Sequence, residues 1–205
     1  DIVIEPFLDR TDLVQRAIHT VEKNLLEGAL IVIFVLVLFL GNLRAGLIVA
    51  TAIPLSLLFA LGMMQLFGVS ANLMSLGAID FGIIVDGSVI VVEAVMHHLS
   101  LRKTTTRLTQ AQMDDEVYHS ASKIRSSAAF GEIIILMVYI PILTLVGVEG
   151  KMFRPMAETV VFAILGALLL SLTYIPAMSA WLLPKQQHHK RTFSDRMIAW
   201  LNSHY

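Results

Sequence analysis

The residues from Ala45 to Ile79 read AGLIVATAIPLSLLFALGMMQLFGVSANLMSLGAI and include no Asp, Glu, Lys or Arg. A helix that crosses a lipid bilayer needs about 20 predominantly apolar residues, so this stretch holds one complete span and the start of a second. The rest of the chain agrees, because 56% of its 205 residues are hydrophobic and only 15% are charged. Soluble domains carry about 25% charged residues. The sequence therefore predicts a membrane protein.

Outward from this stretch, polar, Gly-rich or Pro-rich breaks divide the chain into apolar segments that are each long enough to cross a bilayer. The five predicted spans are residues 25–43, 46–67, 72–96, 125–145 and 157–183. Residues 184–205 follow, and their apolar residues recur at helical spacing beyond Ser194. This pattern predicts an amphipathic helix in the cytoplasmic interface with Trp200 at headgroup level, or a soluble linker helix. The expected fold class is an all-α membrane protein.

The basic residues predict the orientation of these spans, because short cytoplasmic loops carry the excess of Lys and Arg. Ten Lys and Arg residues lie on one predicted face, at Arg44 and within residues 102–125 and 185–196. Five lie on the other face, within residues 10–23 and 151–154. The amino-terminal segment is therefore predicted to lie outside the cytoplasm and the carboxy-terminal segment inside it.

The composition excludes several other classes of protein. The formal net charge of -1 leaves no excess of positive charge to neutralise phosphates, so no nucleic-acid partner is expected. The absence of Cys from the sequence excludes a disulfide frame, a thiolate metal site and a thiol nucleophile. The chain begins at Asp1 without the pattern of a signal peptide. It is expected to be part of a longer protein.

The predicted third span contains Asp80, Asp86 and Glu93, in the stretch IDFGIIVDGSVIVVE that ends at Glu93. An acidic side chain at the centre of a spanning helix costs roughly 2.5 to 3.5 kcal/mol on insertion scales. For a helix over residues 72–96 the middle is near residue 84. Asp86 then bears most of this cost, and Glu93 lies near the cytoplasmic end. The interiors of the predicted spans hold no Lys or Arg to pair with these acids.

The spacing of the acids favours proton binding over metal binding. At about 100° per residue, Asp86 and Glu93 lie within roughly 20° of each other and about 10 Å apart along the helix, whereas Asp80 lies about 120° away. A divalent cation needs oxygen ligands within about 2.0 to 2.6 Å of itself, so no single metal site is predicted. Burial favours the uncharged acid, and the three residues are predicted to form a ladder of proton-binding sites. No cofactor is expected.

Glu132 lies in the first turns of the predicted fourth span, after a polar segment at residues 97–123 that we interpret as a cytoplasmic loop. The partial positive charge at a helix amino terminus favours a carboxylate there. The sequence therefore favours a structural role for Glu132.

Three motifs resemble the heavy-metal efflux branch of the resistance-nodulation-division transporters. They are the acidic stretch at residues 80–93, FLGNLRA at residues 39–45 and GKMFRPMA at residues 150–157. The resemblance covers essentially the whole chain and implies the second to sixth of the family's twelve spans. It implies that residues 1–24 end a periplasmic porter domain, that residues 25–183 form a five-helix transmembrane domain, and that residues 184–205 form an interfacial helix on the cytoplasmic side.

In this family the fourth span carries the proton relay, and the resemblance places that relay on the three acids of the stretch 80–93. Drug exporters have two adjacent aspartates where this chain has Asp86-Gly87, and copper and silver exporters have methionines where it has Ile84 and Val91. The resemblance therefore favours the zinc, cobalt and cadmium type. One departure is Ala94, where the family usually has asparagine. A lysine from the other half of these transporters helps to balance the charge of the relay.

The resemblance implies export of divalent metal cations from the bacterial inner membrane by proton antiport. The implied assembly is a homotrimer with a periplasmic adaptor and an outer-membrane channel, and the expected partners are metal cations, protons and the lipid bilayer. The alternative within transport is export of organic compounds. An intramembrane aspartyl protease is a more remote alternative, since it needs aspartates on two helices and here Asp80 and Asp86 lie on one. The expected class is a secondary transporter and not an enzyme.

Overall fold

The computed structural model describes residues 10–69, 77, 79–101 and 108–184, and its regular structure is helical. The helices are α1 Arg10–Leu40, α2 Leu43–Phe67, α3 Phe81–Leu101, α4 Gln110–Leu143, α5 Gly147–Leu172 and α6 Tyr174–Leu182. Five candidate membrane spans are long and apolar enough, at Val14–Leu40, Leu43–Phe67, Phe81–Leu101, Gln110–Leu143 and Gly147–Leu172. The prediction of an all-α membrane protein with five spans is confirmed. The predicted interfacial helix lies outside the described residues.

The turns at both ends of α2 contain the residues that their backbone geometry requires. Gly41 has φ of 61°, a left-handed conformation that glycine adopts without steric penalty. Next to it, the Asn42 side chain accepts a hydrogen bond from the Arg44 backbone N–H at 3.0 Å and so caps α2. At the other end Gly68 has φ of 67°, and its N–H donates to the Met64 carbonyl. Both turns fall at the Gly-containing breaks between the predicted spans.

The third helix begins later than the sequence predicts. The predicted span covers residues 72–96, whereas α3 starts at Phe81 and ends at Leu101. Asp80 precedes the helix, and its Oδ1 accepts a hydrogen bond from the Gly82 N–H at 2.8 Å. An aspartate in this position caps the helix, because it satisfies a backbone donor of the first turn. The midpoint of α3 is therefore residue 91, which places Glu93 near the middle of the helix.

The fourth helix extends far into the segment that the sequence interprets as a loop. Its 34 residues correspond to a length of about 51 Å at 1.5 Å per residue, well beyond the thickness of a bilayer core. The start is fixed by a capping box. The Thr109 hydroxyl accepts from the Gln112 N–H at 3.4 Å, and the Gln112 side chain accepts from the Thr109 N–H at 3.1 Å. The predicted loop at residues 97–123 is therefore helical from residue 110 onward.

The predicted fifth span, residues 157–183, corresponds to two helices. α5 begins ten residues earlier, at Gly147. Hydropathy assigns its first turns to a loop because they carry charged residues. It ends before Thr173, and α6 follows. Pro176 has no N–H to continue the helical ladder, and the break at Thr173 lies within one turn before it.

The acid-bearing helix is central, since α1, α2, α4, α5 and α6 all pack against α3. α3 and α4 run antiparallel, because His98 near the end of α3 pairs with Glu116 near the start of α4, with 2.8 Å between Nε2 and Oε2. The core of α3 includes Val91, Val92 and Val95, which are at most 1% exposed. The fold therefore places the acidic residues on the helix that touches every other described helix.

Candidate functional site

Two of the three predicted proton-binding residues lie on one exposed stripe of α3. The stripe consists of Asp86, Ile90, Glu93 and His97, all of them exposed, and intervals of three or four residues place them on one helix face. Asp86 and Glu93 are separated by about 10 Å at 1.5 Å per residue. Asp80 is also exposed, but it lies before the helix and outside the stripe.

Asp80 lines an open cavity of about 500 Å³ between α1 and the start of α3. Asn24, Gly28 and Val32 contribute the wall from α1. The two helices approach closely here, because a Cβ added to Gly28 would lie 3.4 Å from the Phe81 ring. The Asp80 carboxylate therefore caps α3 and at the same time borders a cavity that can hold water.

Glu93 lines a different open cavity, of about 360 Å³, between α3 and α4. His97 of α3 and Lys123 of α4 line the same cavity. The sequence assigns Lys123 to a loop. The structure corrects this assignment, because α4 begins at Gln110 and so carries Lys123 alongside α3.

Glu132 of α4 is a fourth acid at this helix, and it is buried. The residue is only 3% exposed, and neither carboxylate oxygen has a hydrogen-bond partner. The carboxylate lies against Gly87, since a Cβ added to Gly87 would lie 2.9 Å from the Glu132 Cδ. Gly87 directly follows Asp86 in the sequence. The bundle therefore brings a buried acid against the residue next to Asp86, the predicted central residue of the relay.

The sequence predicts Glu132 in the first turns of a helix, and the structure corrects that position. α4 begins at Gln110, so Glu132 lies in its seventh turn, beyond the range of the partial charge at the amino terminus. A structural role for Glu132 based on that charge is therefore unsupported. The available signal was the position of an ionisable residue inside an apolar span, which is functional by default.

Ser171 of α5 lies close to the buried acid and also lines a small cavity. Its Cβ would lie 3.4 Å from a Cβ added to Gly87, and the residue is 1% exposed. Ser171 also lines a cavity of about 80 Å³, whose other polar lining comes from Tyr118, Ser122 and Arg125 of α4. A water needs only about 10–15 Å³ of such volume and two to four polar partners. This cavity can therefore hold water beside Ser171, although Glu132 itself does not line it.

The described residues do not form a metal centre. Within residues 10–69, 77, 79–101 and 108–184, no three His, Asp or Glu side chains converge around a common point. The acids of α3 instead lie one after another along the helix, next to separate cavities. This arrangement suits carboxyl groups that take up protons one at a time.

The chain has extensive similarity to known proteins. All of it, residues 1–205, matches the AcrB/AcrD/AcrF family. It is 49% identical over 199 residues to the cobalt-zinc-cadmium resistance protein CzcA of Cupriavidus metallidurans, which is 96% of this chain and 18% of that protein. It is 48% identical over 188 residues to the nickel and cobalt resistance protein CnrA of the same organism, with 90% and 17% covered. The cation efflux system protein CusA of Escherichia coli K12 is 36% identical over 180 residues, with 84% and 17% covered.

Solved structures of a heavy metal efflux pump have the same fold. Crystal form I superposes with a TM-score of 0.72 at 44% identity, and covers 83% of this chain and 16% of that one. Crystal form II gives a TM-score of 0.72 at 40% identity, with 97% and 19% covered. The chain thus spans less than a fifth of the length of the proteins that it matches.

Proposed function

Because the chain belongs to the AcrB/AcrD/AcrF family, we propose that its full-length protein exports divalent heavy-metal cations by proton antiport. The resemblance to the heavy-metal branch of the resistance-nodulation-division transporters is confirmed by the CzcA and CnrA relatives and by the heavy metal efflux pump structures. The proposed cargo is of the zinc, cobalt and cadmium type. Two observations support it: the similarity to a cobalt-zinc-cadmium resistance protein is higher than that to CusA, and Ile84 and Val91 stand where copper exporters have methionine.

The proposed proton relay consists of Asp80, Asp86 and Glu93. The observation that carries this proposal is the position of Asp86 on the exposed stripe of the central helix, two turns from Glu93. An ionisable side chain in a span is energetically costly, and such residues typically mark ion or proton paths. In the proposed orientation, the Asp80 cavity lies at the outer end of α3 and the Glu93 cavity at the cytoplasmic end. Protons would pass inward along the stripe.

The proposed setting is the bacterial inner membrane, with the amino-terminal end of this segment outside and the carboxy-terminal end in the cytoplasm. The excess of Lys and Arg on one predicted face supports this orientation. The full-length protein is proposed to act as a homotrimer with a periplasmic adaptor and an outer-membrane channel, as the family resemblance implies. Parts of the transporter beyond this segment would supply the metal site and the lysine that faces the exposed stripe.

The test replaces Asp86 by Asn in the full-length transporter. Asn has nearly the same shape as Asp and carries no titratable proton, so export coupled to a proton gradient should be lost while the protein remains in the membrane. The measurements are cellular resistance to zinc, cobalt and cadmium, and metal-dependent proton movement in proteoliposomes. The matched control is Asp115→Asn, whose side chain is 71% exposed on the extended start of α4 and which should retain full activity.

Normal metal resistance in the Asp86→Asn variant would refute the proposed relay. A different result would favour the alternative cargo. If cells that lack the transporter become sensitive to dyes and detergents but not to metals, the protein exports organic compounds.

A further inference from the structure

Glu132 differs from Asp80, Asp86 and Glu93 in its exposure to solvent. Asp80, Asp86 and Glu93 are exposed on the surface of the described chain, whereas Glu132 is 3% exposed among the helices of the same chain. Both of its carboxylate oxygens are buried without a hydrogen-bond donor. A buried ionised carboxylate in this situation is strongly destabilising unless it takes up a proton or meets a cation. The packing therefore favours a group that changes its protonation state.

Among the described residues, the helices that pack against α4 bring charged groups near Glu132 from α3 alone, and α4 itself carries Arg125. α4 packs against α3, α5 and α6. α6 has no charged residue, and the charged residues of α5 lie between Glu149 and Glu158, in the half of that helix remote from Ser171. α3 contributes Asp86, which directly precedes the Gly87 that the Glu132 carboxylate contacts, and Glu93 two turns farther along. Asp86 is therefore the acid of α3 closest along the helix to this contact, and it is the central residue of the proposed relay.

The geometry also provides a route away from Glu132. Ser171 lies beside Gly87, at the point where the Glu132 carboxylate is held. The same serine lines the cavity of about 80 Å³ that continues to Tyr118 and Arg125. Arg125 precedes Glu132 by about two turns of α4, toward the start of that helix. In the proposed orientation this direction leads to the cytoplasm.

We propose that Glu132 is an additional proton-carrying residue of the transporter, with its own exit to the cytoplasm through the Ser171 cavity. The protonated carboxyl of Asp86 passes its proton through an intervening water to the Glu132 carboxylate and becomes ionised. Glu132 then releases the proton to water in the cavity and returns to the carboxylate. This step needs no other reactant. The inference rests on the proton antiport proposed above, and it places a second branch on the buried side of α3, opposite the exposed stripe.

The experiment uses the full-length transporter in proteoliposomes that contain a pH-sensitive dye, with zinc added to start transport. The variants are Glu132→Gln, Glu132→Asp and Asp86→Asn, and the matched control is Glu27→Gln, whose side chain is 59% exposed on α1. Gln preserves the size of Glu132 and removes its proton, so we expect a roughly hundredfold or greater loss of zinc-driven proton flux, in the range of a positioned proton-transfer group. Asp retains the proton, so Glu132→Asp should restore flux with a shifted pH profile.

The outcomes separate this inference from the proposed function. Normal flux in Asp86→Asn would refute the antiport mechanism itself. An inactive Asp86→Asn together with wild-type flux and an unchanged pH profile in Glu132→Gln would overturn the role of Glu132 alone. If Glu132→Gln does not accumulate in the membrane, Ser171→Leu decides the question, because leucine fills the cavity without removing an acid. Slower proton release in Ser171→Leu supports the proposed exit, and unchanged release overturns it.

Discussion

The Glu132 carboxylate occupies the space that a side chain at residue 87 would require, so Gly87 admits an acid from α4 to the centre of the bundle. The contact joins residues that are 45 positions apart in the sequence. Gly87 is also the residue that follows Asp86, on the buried side of α3. A single methyl group at residue 87 would therefore alter the surroundings of two acids at once.

Replacement of Gly87 by Ala should destabilise the bundle. The new Cβ would overlap the Glu132 carboxylate, the end of a flexible side chain that can shift, so we expect about 1 kcal/mol, the lower end of the cost of overpacking. The measurement is the thermal unfolding of the full-length protein in detergent. In a Glu132→Ala background the carboxylate is absent, so the same substitution should have a smaller effect. Equal effects in both backgrounds would show that Gly87 and Glu132 do not compete for this space.

Asp80 has two separable roles, which two substitutions distinguish. Asn caps a helix about as well as Asp, whereas Ala loses about 0.5–2 kcal/mol. Asp80→Asn should therefore preserve the hydrogen bond to the Gly82 N–H and the unfolding temperature, but should reduce proton-coupled transport. Asp80→Ala should reduce both.

Wild-type transport in Asp80→Asn with lower stability in Asp80→Ala would limit Asp80 to capping α3. The comparison is informative because the two variants remove the same titratable group. They differ in the acceptor that remains for the first turn of the helix.

The contact between His98 and Glu116 should contribute to the packing of α3 on α4. Its atoms are 2.8 Å apart and the Glu116 side chain is 14% exposed, whereas the His119–Asp115 pair is 3.6 Å apart and 61% and 71% exposed. Exposed pairs typically contribute about 0.2–1 kcal/mol or nothing measurable. Glu116→Gln should therefore lower the unfolding temperature more than Asp115→Asn does. Equal shifts in the two variants would show that the inter-helix pair adds no stability.

The hydropathy of the sequence predicts the number of spans but not the limits of the helices. A window of apolar residues identifies the part of a helix that fits the bilayer, and α4 shows why this is insufficient. Its first turns are polar and are held by the Thr109 capping box and by packing on α3 and α6. They place Lys123 in the lining of the cavity that Glu93 also lines, although the sequence assigns Lys123 to a loop.

The acids of the third span also show what the sequence predicts correctly and what it does not. Their sequence spacing correctly predicts that Asp86 and Glu93 share a face, because the period of a helix is fixed by backbone geometry. The predicted position of Asp80 inside the helix is wrong, because the Asp80 side chain accepts a hydrogen bond from the Gly82 N–H and begins the helix one residue later. The role of the three residues as a relay stays a prediction.

The sequence by itself determined that this is a set of five apolar helices with acids on the third, because bilayer length and helical period act on residues that are close along the chain. It also determined the family, through motifs that are contiguous. Only the tertiary structure decided that α3 is central, that Gly87 makes room for Glu132, and that Ser171 joins this acid to a cavity. Those relationships depend on how helices from distant parts of the chain pack. Where two helices cross, the size of one side chain at the crossing sets how closely the helices can approach.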